Sequence, residues 1–135
     1  MVNINNNSVQ TVLVAEDNLV NQKLLKLLLT KLGYLVNCVN DGLESVSEIR
    51  KQHYSIILMD IQMPIMDGFE ATRNIRKIES GSGKYTPIIA VTANTEVGIR
   101  MRCFEAGMDD YLSKPIGFDL LKTKVEYFLS KTYAS

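Results

Sequence analysis

Neither sign of charge is in excess in this chain, where fifteen Lys and Arg residues stand against fifteen Asp and Glu. A nucleic-acid-binding domain ordinarily carries a basic surplus or stripe. The bases here are scattered along helical stretches, so nucleic acid is not an expected partner. Cysteine is scarce: Cys38 and Cys103 lie far apart, in apolar or helical surroundings and without CxxC spacing. That predicts buried thiols in a reducing compartment, not a disulfide or a metal pair. The single histidine, His53, follows a predicted helix end and is expected to be exposed and inert. No apolar run approaches the length of a membrane span, and the opening MVNINNNSVQ has no secretory apolar core. Internal repeats and linkers are lacking too. What these exclusions leave is one cytoplasmic domain with no direct membrane contact, long enough at 135 residues to bury a real core. We expect that domain over residues 9–131, after a disordered Asn-rich lead-in over residues 1–8 and before a short tail over residues 132–135.

What is present is an alternation of short apolar runs with helical patterns. Thr11 to Ala15, Leu35 to Val39, Ser55 to Met59, Pro87 to Val91 and Asp110 to Ser113 read as five strands. Between and after them, Leu19 to Leu32, Leu43 to Gln52, Phe69 to Ile78, Glu96 to Ala106 and Phe118 to Ser130 read as five helices. Asn18 suits the cap of the first helix and Gly33 its stop. In the last helix, Leu120, Leu121, Val125 and Phe128 are expected to face inward. Such alternation predicts a doubly wound α/β fold, a parallel sheet covered on both faces with right-handed crossovers. In these sheets ligands sit outside the carboxyl ends of the strands, at the switch point.

Four groups of polar residues fall at those strand ends: Glu16-Asp17, Asp60, Thr92 and Lys114. The stretch SIILMDIQMPIMDG, from Ser55 to Gly68, is the centre of the pattern, because a buried strand ends there abruptly on a carboxylate. Carboxylates brought together repel; at ~4 Å and an effective dielectric of ~20, a like-charged pair costs on the order of 4 kcal/mol. Such a site protonates, pairs with a base or holds a cation. Oxygen donors without His or Cys suit a hard ion, and Mg²⁺ uses few carboxylates while keeping waters. A carboxylate beside such an ion, a lysine and a hydroxyl suits an incoming phosphoryl group. Asp60 would attack in line and become an acyl phosphate, with Lys114 and the metal bearing the developing oxygen charge and Thr92 donating a hydrogen bond. No general base is needed for a carboxylate that is already ionised.

The combination AEDNLVNQ, LMDIQMPIMDG, VTAN and YLSKP, in that order and spacing, resembles the receiver (response-regulator) domains of two-component and phosphorelay signalling. The resemblance covers Val9 to about Leu129. It implies a flavodoxin-like sheet with strand order 2-1-3-4-5. It also implies a Mg²⁺ site made by Glu16, Asp17, Asp60 and the backbone carbonyl of Gln62. Asp60 would be the phosphoacceptor, Thr92 and Lys114 its catalytic partners, and Thr92 and Tyr111 the switch pair. A cis peptide is expected between Lys114 and Pro115. The first acid is Glu where many receivers have Asp, and it would reach the ion through water. The EDN…NQ opening with MDIQMP resembles receivers of hybrid histidine kinases more than those fused to DNA-binding domains. The partners so implied are a histidine kinase domain as phosphohistidine donor and a histidine phosphotransfer protein. On phosphorylation, Thr92 would move toward the phosphoryl group, Tyr111 would swing into the vacated space, and the face of the fourth helix, fifth strand and fifth helix would be remodelled.

Three other functions fit the pattern less well. A phosphatase of the haloacid dehalogenase type needs a second Asp two residues after the nucleophile, and Gln62 stands there. A flavodoxin-like FMN carrier needs a phosphate-friendly first loop, which Glu16-Asp17-Asn18 is not. A constitutive docking module with a receiver fold is the alternative to phosphotransfer, yet such a module would normally lack one of the key residues. One stretch stays open between two readings: Val20, Leu24 and Leu27 on the first helix are either a broadening of the core face or an exposed surface that docks a partner helix.

Overall fold

The computed structural model describes residues 9–131. The expected lead-in and tail lie outside the described residues. Five strands alternate with five helices: β1 (Thr11–Ala15), α1 (Leu19–Lys31), β2 (Leu35–Val39), α2 (Gly42–Lys51), β3 (Ile56–Asp60), α3 (Gly68–Glu79), β4 (Ile88–Thr92), α4 (Ile99–Ala106), β5 (Asp110–Ser113) and α5 (Phe118–Leu129). All strand pairs are parallel, in the order β2-β1-β3-β4-β5. The flavodoxin-like topology expected from the sequence is the one found. No helix among the described residues is long and apolar enough to cross a membrane.

The alternation of side chains along each strand builds two cores. Leu13, Ile57, Met59, Ile88 and Ala90 face one way, onto Val46, Phe69, Ile75 and Cys103 of α2, α3 and α4. Val12, Val14, Ile56, Leu58, Ile89 and Val91 face the other, onto Leu25, Leu29, Leu121, Val125 and Phe128 of α1 and α5. Every residue of β3 and β4 is buried, as strands covered on both faces require. Each of the first three helices begins on a side chain that satisfies an orphan N–H: Asn18 accepts from Asn21, Asp41 from Glu44, and Asp67 from Glu70.

Two expectations change, and one open reading is decided. The fourth helix starts at Ile99, three residues later than the periodicity suggests. Gly98 takes the left-handed conformation (φ 90°) and caps the helix from outside instead of lying within it. Leu120 is half exposed: it sits about 100° around the helix from buried Leu121 and misses the core. On α1, Val20, Leu24 and Leu27 are 74, 43 and 63 % exposed, so this stripe is surface and not a widening of the core.

Register places the chemistry. Ala15 lies opposite Met59, Asp60 opposite Val91, and Thr92 opposite Ser113. Glu16, Asp60, Thr92 and Lys114 therefore leave the sheet side by side at its carboxyl edge. The order of the sheet reverses between β1 and β3, and the crevice there is where a doubly wound fold admits a ligand.

Candidate functional site

Asp60 ends the central strand and is 6 % exposed, while Glu16, directly after β1, is 1 % exposed. Asp17 beside it is exposed. One carboxylate oxygen from each of Glu16, Asp17 and Asp60 lies within 4.8 Å of the others. The facing cation is Lys114, whose Nζ stands 2.8 Å from Glu16 Oε1 and 3.3 Å from Asp60 Oδ2. The peptide joining Lys114 to Pro115 is cis. One lysine against three carboxylates leaves the cluster negative, and its donors are all hard oxygens. That set fits a small divalent cation such as Mg²⁺.

The electrostatics express the same crowding. Burial raises the Asp60 carboxyl from its ordinary 3.8 to about 6, and the Glu16 charge adds to the rise, with Lys114 opposing both. Burial pulls the Lys114 ammonium down, but its contact with Glu16 and the charges of both carboxylates outweigh that, so it is raised overall. Asp60 thus sits in a field that disfavours its own charge, and an added cation would relieve it.

The backbone around Asp60 is held from several sides. Gln62 donates its N–H to Asp60 Oδ1 (3.3 Å), and Asn18 donates its N–H to Glu16 Oε2 (3.1 Å). Gly68 N–H bonds the Ile61 carbonyl at 2.8 Å, and Gly42 N–H bonds the Met66 carbonyl at 3.0 Å, stitching the β3–α3 loop to α3 and α2. Both glycines are required by close approach: a Cβ on either would fall 2.2 Å from a backbone oxygen, that of Asp60 for Gly68 and that of Met66 for Gly42. Asp67-Gly68, whose residue types suggest only a turn, is therefore also the clamp on the strand that carries Asp60.

Thr92 is 1 % exposed, and its Oγ1 accepts from the Asn94 N–H at 3.0 Å. Tyr111, half-buried on β5, donates its hydroxyl to the Asn94 carbonyl at 2.9 Å. Thr92 and Tyr111 thus hold the same loop residue from two strands. The structure brings Glu16, Asp17, Asp60 and Lys114 into one cluster, with Thr92 and Tyr111 at its β4–β5 side. Val20, Leu24 and Leu27 run along the exposed face of α1, which begins at the acidic loop.

Two supporting residues were not singled out from the sequence. Gln22 donates from Nε2 to the Glu16 carbonyl and to Asn40 Oδ1 (2.8 Å), tying α1 to the acid-bearing loop and to the turn that follows β2. Its polarity did not set it apart, because Asn21, Lys23 and Lys26 on the same helix are polar too. Arg76 on α3 donates to the Gly107 carbonyl (3.0 Å), Glu79 (2.7 Å), the Thr86 carbonyl (2.8 Å) and Asp109 (3.0 Å). Nothing local distinguishes it from other helical arginines: Glu79 lies three residues on, but its other partners come from distant segments.

Comparison with known proteins agrees with this arrangement. The family model described as the response regulator receiver domain matches residues 12–126. Hybrid signal transduction histidine kinase I of Dictyostelium discoideum is 43 % identical over 135 aligned positions, which cover 93 % of this chain and 8 % of the kinase. The chain spans 6 to 15 % of the length of such curated relatives. Among solved structures, the receiver domain of sensor histidine kinase PA1611 from Pseudomonas aeruginosa is 42 % identical, with a TM-score of 0.83 over 92 % of this chain and 100 % of that one. It holds a magnesium ion in its active-site cleft. A chain from the Saccharomyces cerevisiae co-crystal of the histidine phosphotransfer protein Ypd1 with the receiver domain of Ssk1 matches at 29 % identity and a TM-score of 0.82, over 90 % of each chain.

Proposed function

We propose that this chain, which belongs to the response regulator receiver domain family of two-component phosphorelay signalling, takes a phosphoryl group from a phosphohistidine onto Asp60. The observation that carries the reading is the placement of Lys114 Nζ between Glu16 (2.8 Å) and Asp60 (3.3 Å) at the open edge of the sheet. Glu16, Asp17, Asp60 and the backbone carbonyl of Gln62 would hold Mg²⁺, with Glu16 acting through water. When bound, the ion supplies positive charge to the carboxylates and to the phosphoryl oxygens. An Asp60 oxygen forms a bond to phosphorus as the donor's N–P bond breaks, and the electron pair leaves on the imidazole nitrogen. Lys114 neutralises charge on the arriving oxygens, and Thr92 donates a hydrogen bond to one of them. The Thr92 hydroxyl can donate to that oxygen while it still accepts from the Asn94 N–H, so its movement toward the phosphoryl group would draw on the loop that Tyr111 also holds.

That linkage supports a two-state switch. α4 is the least secured helix: eight residues long, with no side-chain cap, no acid in its first turn and no base in its last. Such an element is readily displaced when Thr92 and Tyr111 change partners, remodelling the face made by α4, β5 and α5. We further propose that the exposed stripe of Val20, Leu24 and Leu27 receives a histidine phosphotransfer protein, and that the donor is a histidine kinase domain in the cytoplasm. The domain proper would be residues 9–131 of a hybrid kinase. A purely constitutive docking role is disfavoured, because every residue that phosphotransfer needs is in place.

Phosphoramidate, whose N–P bond imitates phosphohistidine, provides the test. In Mg²⁺, phosphorus NMR should show the donor consumed and a protein acyl phosphate formed, and neither with Asp60→Asn. Equal consumption by that variant would refute the assignment.

A further inference from the structure

A cavity of about 470 Å³ opens at the end of the sheet opposite Asp60. Its walls are the C-terminal turn of α2 (Ile49 to Lys51), the segment leading into β3, the end of α3, and the loop leading into β4. Ile49, Ile78 and the buried ring of Tyr54 make it partly apolar. Arg50, Lys51, His53 and Lys84 also line it.

The charges there do not cancel. The one lining carboxylate, Glu79, is already occupied on both oxygens, by Arg76 Nη1 at 2.7 Å and the Thr86 N–H at 2.8 Å. Lys51 lies 3.6 Å from Glu48, which also accepts from the Tyr54 hydroxyl. Among the described residues, the side chains of Arg50, His53 and Lys84 have no hydrogen bond or ion pair. The chain as a whole is formally neutral, so two unpaired cations around one concavity are a local excess and not a general basic character.

We propose that this cavity binds a phosphorylated small molecule. Arg50 and Lys84 hold the phosphate, and the carbon body lies against Ile49, Ile78 and Tyr54. The Arg fork suits phosphate oxygens bidentately, and Lys adds a point charge. The volume falls within the range of small-molecule sites and exceeds what a bare phosphate would fill. This assignment is independent of the phosphotransfer reading, because none of these residues belongs to the acidic cluster.

AMP is a suitable probe, with adenosine as the uncharged control, both titrated in chelator and followed by amide NMR. AMP should produce saturable shifts at residues 49–54 and 78–86, with a Kd below about 1 mM, and adenosine should produce none. The double variant Arg50→Glu/Lys84→Glu should weaken AMP about tenfold while keeping the dispersed amide spectrum of a folded domain. Arg50→Ala and Lys84→Ala singly should each weaken it less, and they serve if the double variant does not fold. An equal response to adenosine, shifts centred on Glu16 and Asp60, or unchanged affinity in the rim variants would each overturn the proposal. So would binding to phosphatidylserine vesicles without binding to AMP, which would make the cations a membrane-facing surface.

Discussion

Gly68 lies directly against the backbone of Asp60: a Cβ built on it would fall 2.2 Å from the Asp60 carbonyl oxygen. The obstacle is main chain of a central strand, so no side chain can swing away to make room. Gly68→Ala should therefore destabilise the domain by about 1–3 kcal/mol, the usual cost of overpacking. It should also slow phosphorylation by displacing the acceptor. Urea denaturation and the phosphorylation rate, measured on the same variant, check both.

Asp60 carries a stability cost of its own. Its folded carboxyl titrates near 6 against 3.8 for the free group, through burial and the Glu16 charge. The folded state thus binds this proton more tightly than the unfolded one between those values. Without a divalent cation, this group's contribution to stability should fall as pH rises from about 4 to 6 and stay low above that. Asp60→Asn should then be more stable than wild type by about 1–3 kcal/mol at pH 7.5, with the advantage vanishing near pH 4. Thermal melts of both proteins across that range, in chelator, read the sign directly.

Magnesium should narrow that gap. At ten times its dissociation constant it should stabilise the wild-type domain by about 1.4 kcal/mol. Asp60→Asn, having lost a charged donor, should gain much less. Melting temperatures with and without Mg²⁺ measure the difference, and equal gains would mean that the ion binds elsewhere.

On α1, neighbouring leucines should part company. Leu27 is 63 % exposed and Leu25 is buried. Leu27→Ser should change stability by less than about 0.5 kcal/mol yet slow transfer to a histidine phosphotransfer protein. Leu25→Ala should cost about 2–5 kcal/mol. Denaturation of each variant, beside transfer assays for Leu27→Ser, separates surface from core.

Arg76 ties its own helix, through Glu79, to the Thr86 loop and to the Gly107–Asp109 connection. Arg76→Ala leaves Glu79 and Asp109 without their cation in a largely buried setting, at a cost of about 3 kcal/mol or more. Lys77→Ala, on the exposed side of the same helix, should be nearly neutral. Paired denaturation curves test the contrast.

Most of the architecture was legible because it follows from local periodicity. Apolar β-branched runs alternate with 3.6-residue stripes, and polar residues recur at the strand ends. The convergence of Glu16, Asp60 and Lys114 then follows from topology, since parallel strands end at one edge. What the sequence did not disclose depends on direction and not on spacing. The start of α4 at Ile99 turns on the left-handed conformation of Gly98, which composition alone does not distinguish from a helical glycine. Leu120 fits an apolar stripe on paper but falls outside the buried sector of Leu121, Val125 and Phe128. The role of Arg76 rests on partners three to thirty-three residues away, and no local pattern announces it.

Asp60, within the acidic cluster, is proposed to accept a phosphoryl group in a reaction that needs Mg²⁺. The most direct measurement is the intact mass of the protein after incubation with acetyl phosphate, in Mg²⁺ and in chelator, beside Asp60→Asn. Wild-type protein with Mg²⁺ should gain a single phosphoryl group, and neither the chelated protein nor the variant should gain one. An adduct that persists in Asp60→Asn or in chelator, or no adduct with Mg²⁺ bound, would contradict that assignment.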